Sequence, residues 1–336
     1  MRSFTRRCAL RRTLQGVAAV GAAMLLSSVA LAADMKAPKG DVEITVGSGA
    51  GATPDVIMRR VAKILNDEKL VEQPIVIQNR TGGGWTVAGN YVMAHPGAEN
   101  LLFAVVPTVF ATPILQGLPN TYEKVTPLAM LARFDLLVVV AADSPITTLS
   151  DFVAKAKKED KSVSMAGANV GSTDHIVATL IEKAGGVKLN YVPFDGGGGQ
   201  ITSALLGGTV DAITLPPDEA MPLITGKKVK AIAVLSEQRR PEAELKDIPT
   251  AKEQGLDVLW SSRYGIAGPP NMDPALAAWW DDKFGKMVKT PAWSQMIKDG
   301  YLISDYVPMS DAKAEMDKIH TLYVQVMTDL GLAKKQ

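Results

Sequence analysis

The chain has 336 residues, of which 47% are hydrophobic by the broad count and 21% charged, with 29 glycines and 20 prolines; this composition fits one large or two ordinary α/β domains and excludes a disordered or low-complexity chain. Its 36 Lys and Arg nearly balance 35 Asp and Glu, but residues 1–33 hold five arginines and no acid or lysine, so from Asp34 onward 31 basic residues face 35 acidic ones, a net of −4. A mildly acidic body without a basic stripe excludes a nucleic-acid binder, and because the lone cysteine, Cys8, lies in the leader, the body has no disulfide, thiolate nucleophile or cysteine metal ligand.

The leader comes first. Arg2, Arg6, Arg7, Arg11 and Arg12 precede an almost wholly apolar or small stretch, Leu14 to Ala33, which ends in Ala30-Leu31-Ala32. This is the pattern of a secretory signal peptide cut near Ala32 or Ala33, too short and wrongly flanked for a membrane anchor. Cys8 precedes the apolar stretch, where a lipid-acceptor cysteine would have to follow it, and Arg11-Arg12 admits either ordinary or twin-arginine export. The body is expected outside the cytoplasm.

Ile44-Thr45-Val46 reads as a buried strand running into the glycine-rich turn Gly47 to Thr53, and Asp55 to Leu65 has helical spacing with Pro54 suited to its first turn. A strand from Pro74 to Gln78 leads into Asn79-Arg80-Thr81-Gly82-Gly83-Gly84 and a helix from Thr86 to Ala94; a third strand, Leu101 to Val106, leads into Pro107-Thr108. Strands are then predicted over Leu136–Ala141, Ser162–Met165, Leu189–Val192, Ala212–Leu215 and Ala231–Leu235, with helices over Leu149–Lys158, Ser172–Ala184 and Gly199–Leu206. Further helices fall near Pro274–Lys289, Ala292–Asp299 and Asp311–Gly331. Such βα alternation predicts two mainly parallel sheets covered by helices. The division expected is a signal peptide over 1–33, a first domain built from 34–135 and 237–336, and a second over 136–236, with crossings near Phe134–Val138 and Leu235–Arg239.

Four glycine-rich strand-to-helix turns carry the candidate chemistry. Gly47, Gly49 and Gly51, with Ser48, Ala50, Ala52 and Thr53, let backbone amides approach a ligand, while Asp55 suits either a first-turn acid or a site residue. Asn79 to Gly84 offers Arg80 to an anion or to a surface acid. Ala168-Asn169-Val170-Gly171-Ser172 precedes a helix that Ser172 can cap, with amides that also suit a carboxylate. Phe194-Asp195-Gly196 opens the fourth turn. Together these turns fit an anion held between two sheets by backbone donors. They match neither a dinucleotide fingerprint nor a Walker loop. His95, His175 and His320 have no metal-ligand spacing, no G-x-S-x-G elbow surrounds any serine, and Trp260, at a strand end, is the tryptophan placed nearest a pocket.

The same residues carry a resemblance. Gly51, Asp55 and Arg59; Asn79, Arg80, Gly82 and Gly84; Val192-Pro193-Phe194-Asp195-Gly196-Gly197-Gly198 with Leu206-Gly207-Gly208-Thr209-Val210-Asp211; Ile248-Pro249-Thr250, Glu253 and Gly255; and Gly265 to Pro270 occur in order. They resemble the periplasmic solute-binding subunits of tripartite tricarboxylate transporters, also known as Bug receptors, from about residue 41 to the C-terminus. Ala52 replaces a family glycine, and Asp195 stands where Lys or Ser is common.

The resemblance implies a type II periplasmic binding fold of two α/β domains closing over a small organic acid, a di- or tricarboxylate or an aromatic carboxylate. It also implies a periplasmic, monomeric, non-enzymatic receptor without cofactor that delivers its ligand to membrane transporter subunits. By position it places ligand contacts at Ala50, Gly51, Thr53, Asp55 and Thr108 on one side and Ala168, Gly171, Ser172 and Asp195 on the other. Ser48, Asn79, Arg80, Asn169, Gly196 and Trp260 are supporting or further contacts, and Asp55 is expected to order its loop rather than touch an anion. Two alternatives stand beside this reading: a secreted α/β hydrolase using Ser172 or Ser48, and a ligand-sensing partner of a membrane signalling protein.

Overall fold

A computed structural model describes residues 36–119, 121–168, 170–194 and 198–334. The leader, Asn169, Asp195 and Gly196 lie outside the described residues.

Eleven strands form two sheets among the described residues. β1 (Val42–Val46), β2 (Ile75–Asn79) and β3 (Leu101–Val105) are parallel, and β4 (Thr126–Asp135), β10 (Ser261–Gly268) and β11 (Ile303–Val307) complete a six-stranded sheet in the order β11-β4-β10-β3-β1-β2. β10 runs antiparallel to both β3 and β4, and β11 antiparallel to β4. The second sheet, ordered β7-β6-β8-β5-β9, takes β5 (Leu137–Ala141), β6 (Ser164–Gly167), β7 (Asn190–Pro193), β8 (Ala212–Leu215) and β9 (Val229–Val234). Here β5 is antiparallel to both neighbours. Both sheets are therefore mixed rather than mainly parallel, because the strands beside each crossing run against the βα units.

The helices are α1 (Thr53–Asp67), α2 (Thr86–Met93), α3 (Pro107–Gln116), α4 (Leu149–Ala156), α5 (Thr173–Gly185), α6 (Gly198–Leu206), α7 (Pro217–Thr225), α8 (Pro274–Met287), α9 (Pro291–Asp299) and α10 (Met309–Asp329). The unbroken apolar run of β5 is explained by cover on both faces. Val138 and Val140 join a core with Phe152 of α4 and Ile176 of α5, while Leu137 and Val139 join another with Ile201 and Leu205 of α6 and Met221 of α7. A strand buried on both sides needs no polar alternation. In the first lobe the largest fully buried side chains include Trp280, Trp293, Phe103 and Phe110. No described helix is long and apolar enough to cross a membrane.

The chain passes between the lobes at Leu136 and again near Trp260, because Leu245 and residues 249–254 still pack on or bond to the second lobe. Only Leu136 separates β4 from β5, and Leu235, just past β9, donates its N–H to the Leu136 carbonyl (2.9 Å). Leu235 in turn accepts from Trp260 N–H (3.0 Å), which leads the chain back into β10. Buried charges flank this strap: Asp135 pairs with Arg133 and, at 3.7 Å, with Arg240, whose guanidinium also holds Glu242 and the Tyr301 carbonyl.

Candidate functional site

β1 delivers the chain to the first turn through three fully buried residues, Val42, Ile44 and Val46. Gly47 follows because a Cβ there would lie 2.4 Å from the Trp85 ring. Trp85 is itself placed by Gly82, Gly83 and Gly84, all at positive φ, and it shares that left-handed conformation at φ 73°. The cost, about 1–2 kcal/mol for a residue with a Cβ, is offset by burying its indole edge-on against Phe103. The triple glycine thus serves close packing: a Cβ at Gly84 would meet the Thr112 hydroxyl at 2.7 Å.

Asp55 organises the turn. It is 1% exposed, and its carboxylate accepts from Gly51 N–H, Arg59 Nε and Asn79 Nδ2, each at 2.9 Å. Asn79 also donates to the Ser48 carbonyl (2.9 Å) and accepts from Arg59 (3.1 Å). Burial works to raise the Asp55 pKa, but the Arg59 guanidinium, the Gly51 amide and the Asn79 amide outweigh it and hold the carboxyl below its ordinary value. Ser48, Gly51, Asp55 and Asn79 are therefore one hydrogen-bonded unit. Arg80 is not part of it: its guanidinium grips Glu43 (3.0 and 3.1 Å) and lies 3.5 Å over the Tyr91 ring. Thr108, in the first turn of α3, borders a cavity of about 10 Å³ below Trp85, room for about one water. α1 and α3 both begin without a side-chain cap, at Ala52 and Val106, so no side chain at the capping position takes their first-turn amides, although in α3 Val109 N–H donates to the Val106 carbonyl (3.0 Å).

On the second lobe, β6 ends at Gly167, where a Cβ would collide with Asp174 and Tyr191. Ala168 N–H donates to Asp174 (3.0 Å), and its carbonyl accepts from the Tyr191 hydroxyl (2.7 Å). Ser172 caps α5 by accepting from His175 N–H (3.4 Å), and its hydroxyl meets Tyr191 (3.2 Å). Because the Tyr191 proton is used on Ala168, the Ser172 proton goes to Tyr191. Gly171, at φ 86°, donates to His175 Nδ1 (3.0 Å) and stands against Leu115 of α3, so the two lobes touch there. Asp174 also accepts from the Thr214 hydroxyl, yet no cation pairs with it among the described residues, and burial pushes its pKa up by more than those two donors bring it down.

Neither serine of the hydrolase alternative has a histidine partner among the described residues: the His175 Nδ1 lone pair is taken by Gly171, and Ser48 Oγ is buried without a partner. Trp260 packs edge-on against Tyr323 (5.2 Å) with its indole nitrogen buried and unpaired.

Between the lobes lies a cavity of about 220 Å³ bordered by Gly51, Thr53, Arg60, Phe134, Asp218 and Glu219. Thr53 and Gly51 were expected there, whereas Arg60, Asp218 and Glu219 were not singled out. A signal for the acids exists in the sequence: Pro217-Asp218 follows the β8 run as Pro54-Asp55 follows β1. Burial between the lobes raises the pKa of both acids; for Asp218 its own and the Glu219 backbone, then Arg60, oppose this, and for Glu219 the charges of Asp218 and Asp174 add to it.

A family profile described as Tripartite tricarboxylate transporter family receptor matches residues 57–316. Among curated proteins, the UPF0065 protein in the gbd 5′ region of Cupriavidus necator is 25% identical over 329 residues, 96% of this chain and 97% of that one. Among solved structures, a TctC solute-binding protein from Polaromonas superposes with a TM-score of 0.74 at 25% identity, covering 88% of this chain and all of that one. A protein of R. palustris solved with adipate gives a TM-score of 0.77 at 21% identity, covering 88% and 99%. With two α/β lobes around an interlobe cleft and a profile match over most of its length, the chain belongs to the tripartite tricarboxylate transporter receptors, the non-catalytic periplasmic proteins that bind small carboxylates for a membrane uptake system.

Proposed function

We propose that the ligand carboxylate is received at the first turn, by the free amides at the start of α1 and by Ala50, Gly51 and Thr53, with Thr108 beside them. Ala168, Gly171 and Ser172 approach from the second lobe. Asp55, Asn79 and Ser48 keep the first turn in shape, and Trp260 offers an unpaired indole N–H. Arg80 acts through Glu43 rather than on the ligand. On this reading residues 34–135 and 237–336 make one domain and 136–236 the other, with the stretch from Leu245 to Gln254 packed on the latter. The observation that carries the proposal is the pair of uncapped helix starts, α1 and α3, in the lobe whose loop is already braced by Asp55. A helix start with free amides favours negative charge. Several charge-assisted hydrogen bonds of about 1.5–3 kcal/mol each reach micromolar affinity after ordering costs. Adipate, found with the R. palustris relative, is the first compound to try. The test is a thermal-shift screen of residues 34–336 with aliphatic and aromatic carboxylates, followed by calorimetry and recovery of the ligand. Stabilisation by a carboxylate recovered unchanged is expected; failure of every carboxylate to stabilise the protein defeats the proposal.

A further inference from the structure

Each of the two sheets ends in two edge strands, and three of the four edges are blocked. β7 has four residues, and one of its positions that point away from β6 is Pro193, which has no N–H to offer. β9 is covered by residues 249–254: Val234 N–H donates to the Pro249 carbonyl (3.0 Å), Ala251 N–H to Val234 (3.1 Å) and Gln254 Nε2 to Ile232 (3.0 Å). β11 carries Asp305 in a register break between Ser304 and Val307. Short strands, prolines, inserted charges and bulges are the devices that keep a sheet edge from pairing with another chain.

β2 has none of them beyond its shortness. Ile75-Val76-Ile77-Gln78-Asn79 holds no charge, no proline and no bulge. The Pro74 carbonyl accepts from Val42 N–H and Arg80 N–H donates to Val46, both at 2.8 Å, so the even-numbered residues face β1. Ile75, Ile77 and Asn79 therefore aim their N–H and C=O groups away from the sheet, and among the described residues nothing bonds to them there. Val76 is the register partner of Glu43, which Arg80 and Tyr91 hold from the α2 side. On that side Val76 is 41% exposed, and Val87, one turn before Tyr91 on α2, is 49% exposed. An open row of backbone groups thus runs beside an apolar shelf.

We infer that this edge pairs with the same edge of a second copy, antiparallel and centred on Ile77, a departure from the monomer that the family resemblance implied. The strand is self-complementary in that register. Ile77 exchanges N–H and C=O with its own copy, and Ile75 exchanges both with Asn79 in each direction, so every outward group is satisfied. Val76 stands opposite Gln78 and meets no charge. The antiparallel sense also brings the Glu72 end of one strand to the Arg80 end of the other, acid towards base at both ends. Because Asn79, at the end of β2, is bonded to Ser48 and Asp55 at the cleft, the two clefts of the dimer open in opposite directions. Only one at a time faces a flat membrane.

Sedimentation of residues 34–336 from micromolar to millimolar concentration is expected to show a reversible dimer. Val76→Lys/Gln78→Lys sets lysine opposite lysine twice across the two-fold axis and is expected to weaken the dimer about tenfold or more. Val76→Lys/Gln78→Glu sets lysine opposite glutamate and is expected to restore it, with the gain screened by salt. Both variants change exposed side chains, and an unchanged Tm in dilute solution checks that they fold. Hydrogen exchange followed by NMR gives a second reading. The Ile75, Ile77 and Asn79 amides are expected to slow as concentration rises, while those of Val76 and Gln78, turned to β1, stay slow throughout. A monomer at every concentration overturns the inference and leaves the edge to a strand of another protein. A dimer indifferent to the lysine pair overturns it by placing the interface elsewhere, and equal loss in both variants overturns it by refuting the register.

Discussion

Asp55 and Asp174 occupy matching places in the two lobes and behave oppositely. Each sits in the first turn of a helix that follows a strand at the cleft, and each accepts a backbone N–H from the turn before it, Gly51 in one case and Ala168 in the other. Asp55 has Arg59 one helical turn on and stays ionised, with its pKa pulled down against the effect of burial. At the same offset from Asp174 the chain has Ala178, and among the described residues the only side-chain donor is the Thr214 hydroxyl, so burial raises its pKa. Position at a helix start does not decide the charge state of an acid at the cleft. The presence of a cation one turn away does.

The comparison can be broken most forcefully at Asp55. Asp55→Ala leaves the Gly51 amide, Asn79 and Arg59 without their common acceptor, and a loss of about 3 kcal/mol is expected in chemical denaturation, moderated because Arg59 is half-exposed and regains water. The amide substitutions should then differ between the lobes. Asp55→Asn is expected to cost about 2 kcal/mol at neutral pH, whereas Asp174→Asn should stay within about 1 kcal/mol of the parent or exceed it, since an amide keeps the acceptor for Ala168 and sheds the buried charge.

Their pH profiles carry opposite signs. Asp55 titrates below its ordinary value of 3.8, so its contribution is complete above that value and is lost as pH falls through the lowered one. Asp174 titrates above 3.8, so the native state holds a proton that the unfolded chain releases, and stability declines as pH rises from 3.8 through the raised value. Asp174→Asn should therefore gain most over the parent at the alkaline end of a Tm-against-pH series. Parallel curves would show that Asp174 is not buried in the way described.

Two smaller effects sharpen the contrast. Thr214→Val removes the one side-chain donor to Asp174; a loss of about 1–2 kcal/mol is expected at neutral pH, with the Asp174 titration followed by carbon NMR moving further upward. Ser172→Ala removes the α5 cap and the proton given to Tyr191, for about 1 kcal/mol. A loss of affinity for the carboxylate found by screening, beyond what that cap accounts for, would put Ser172 in contact with the ligand.

The βα units were legible because each announces itself with a short apolar run, a glycine turn and a helical period, as in Ile44 to Leu65. β4, β10 and β11 were not. β4 is buried on nearly its whole length and shows no alternation, β10 contains Gly265 where a Cβ would strike Met130, and the Ile303–Val307 strand is half polar. Their pairing is antiparallel and long-range, so it leaves no local mark. α3 and α7 were hidden by internal prolines, Pro113 and Pro222. At the site, the part of Asp55 in ordering its loop was open to expectation because Gly51 and Arg59 are near it in the chain, whereas Asn79 reaches it only through the β1–β2 pairing. Arg80 could not be assigned, because Glu43 reaches it only through the β1–β2 register. Asp218 and Glu219 come near Thr53 only through the meeting of two lobes.

The junction where Leu136, Leu235 and Trp260 lie side by side has a consequence for how freely the lobes move. A single connecting chain is a swivel with several soft rotations, but crossing segments tied side by side through the Leu235-to-Leu136 and Trp260-to-Leu235 hydrogen bonds, and clamped by Asp135 and Arg240, resist twist and shear. What remains soft is flexing of the ribbon along one direction, as in a leaf spring. The open receptor therefore searches along one coordinate, and each closing stroke brings the same faces together. Little orientational entropy is left for a ligand to remove, so more of its contact energy is retained as affinity.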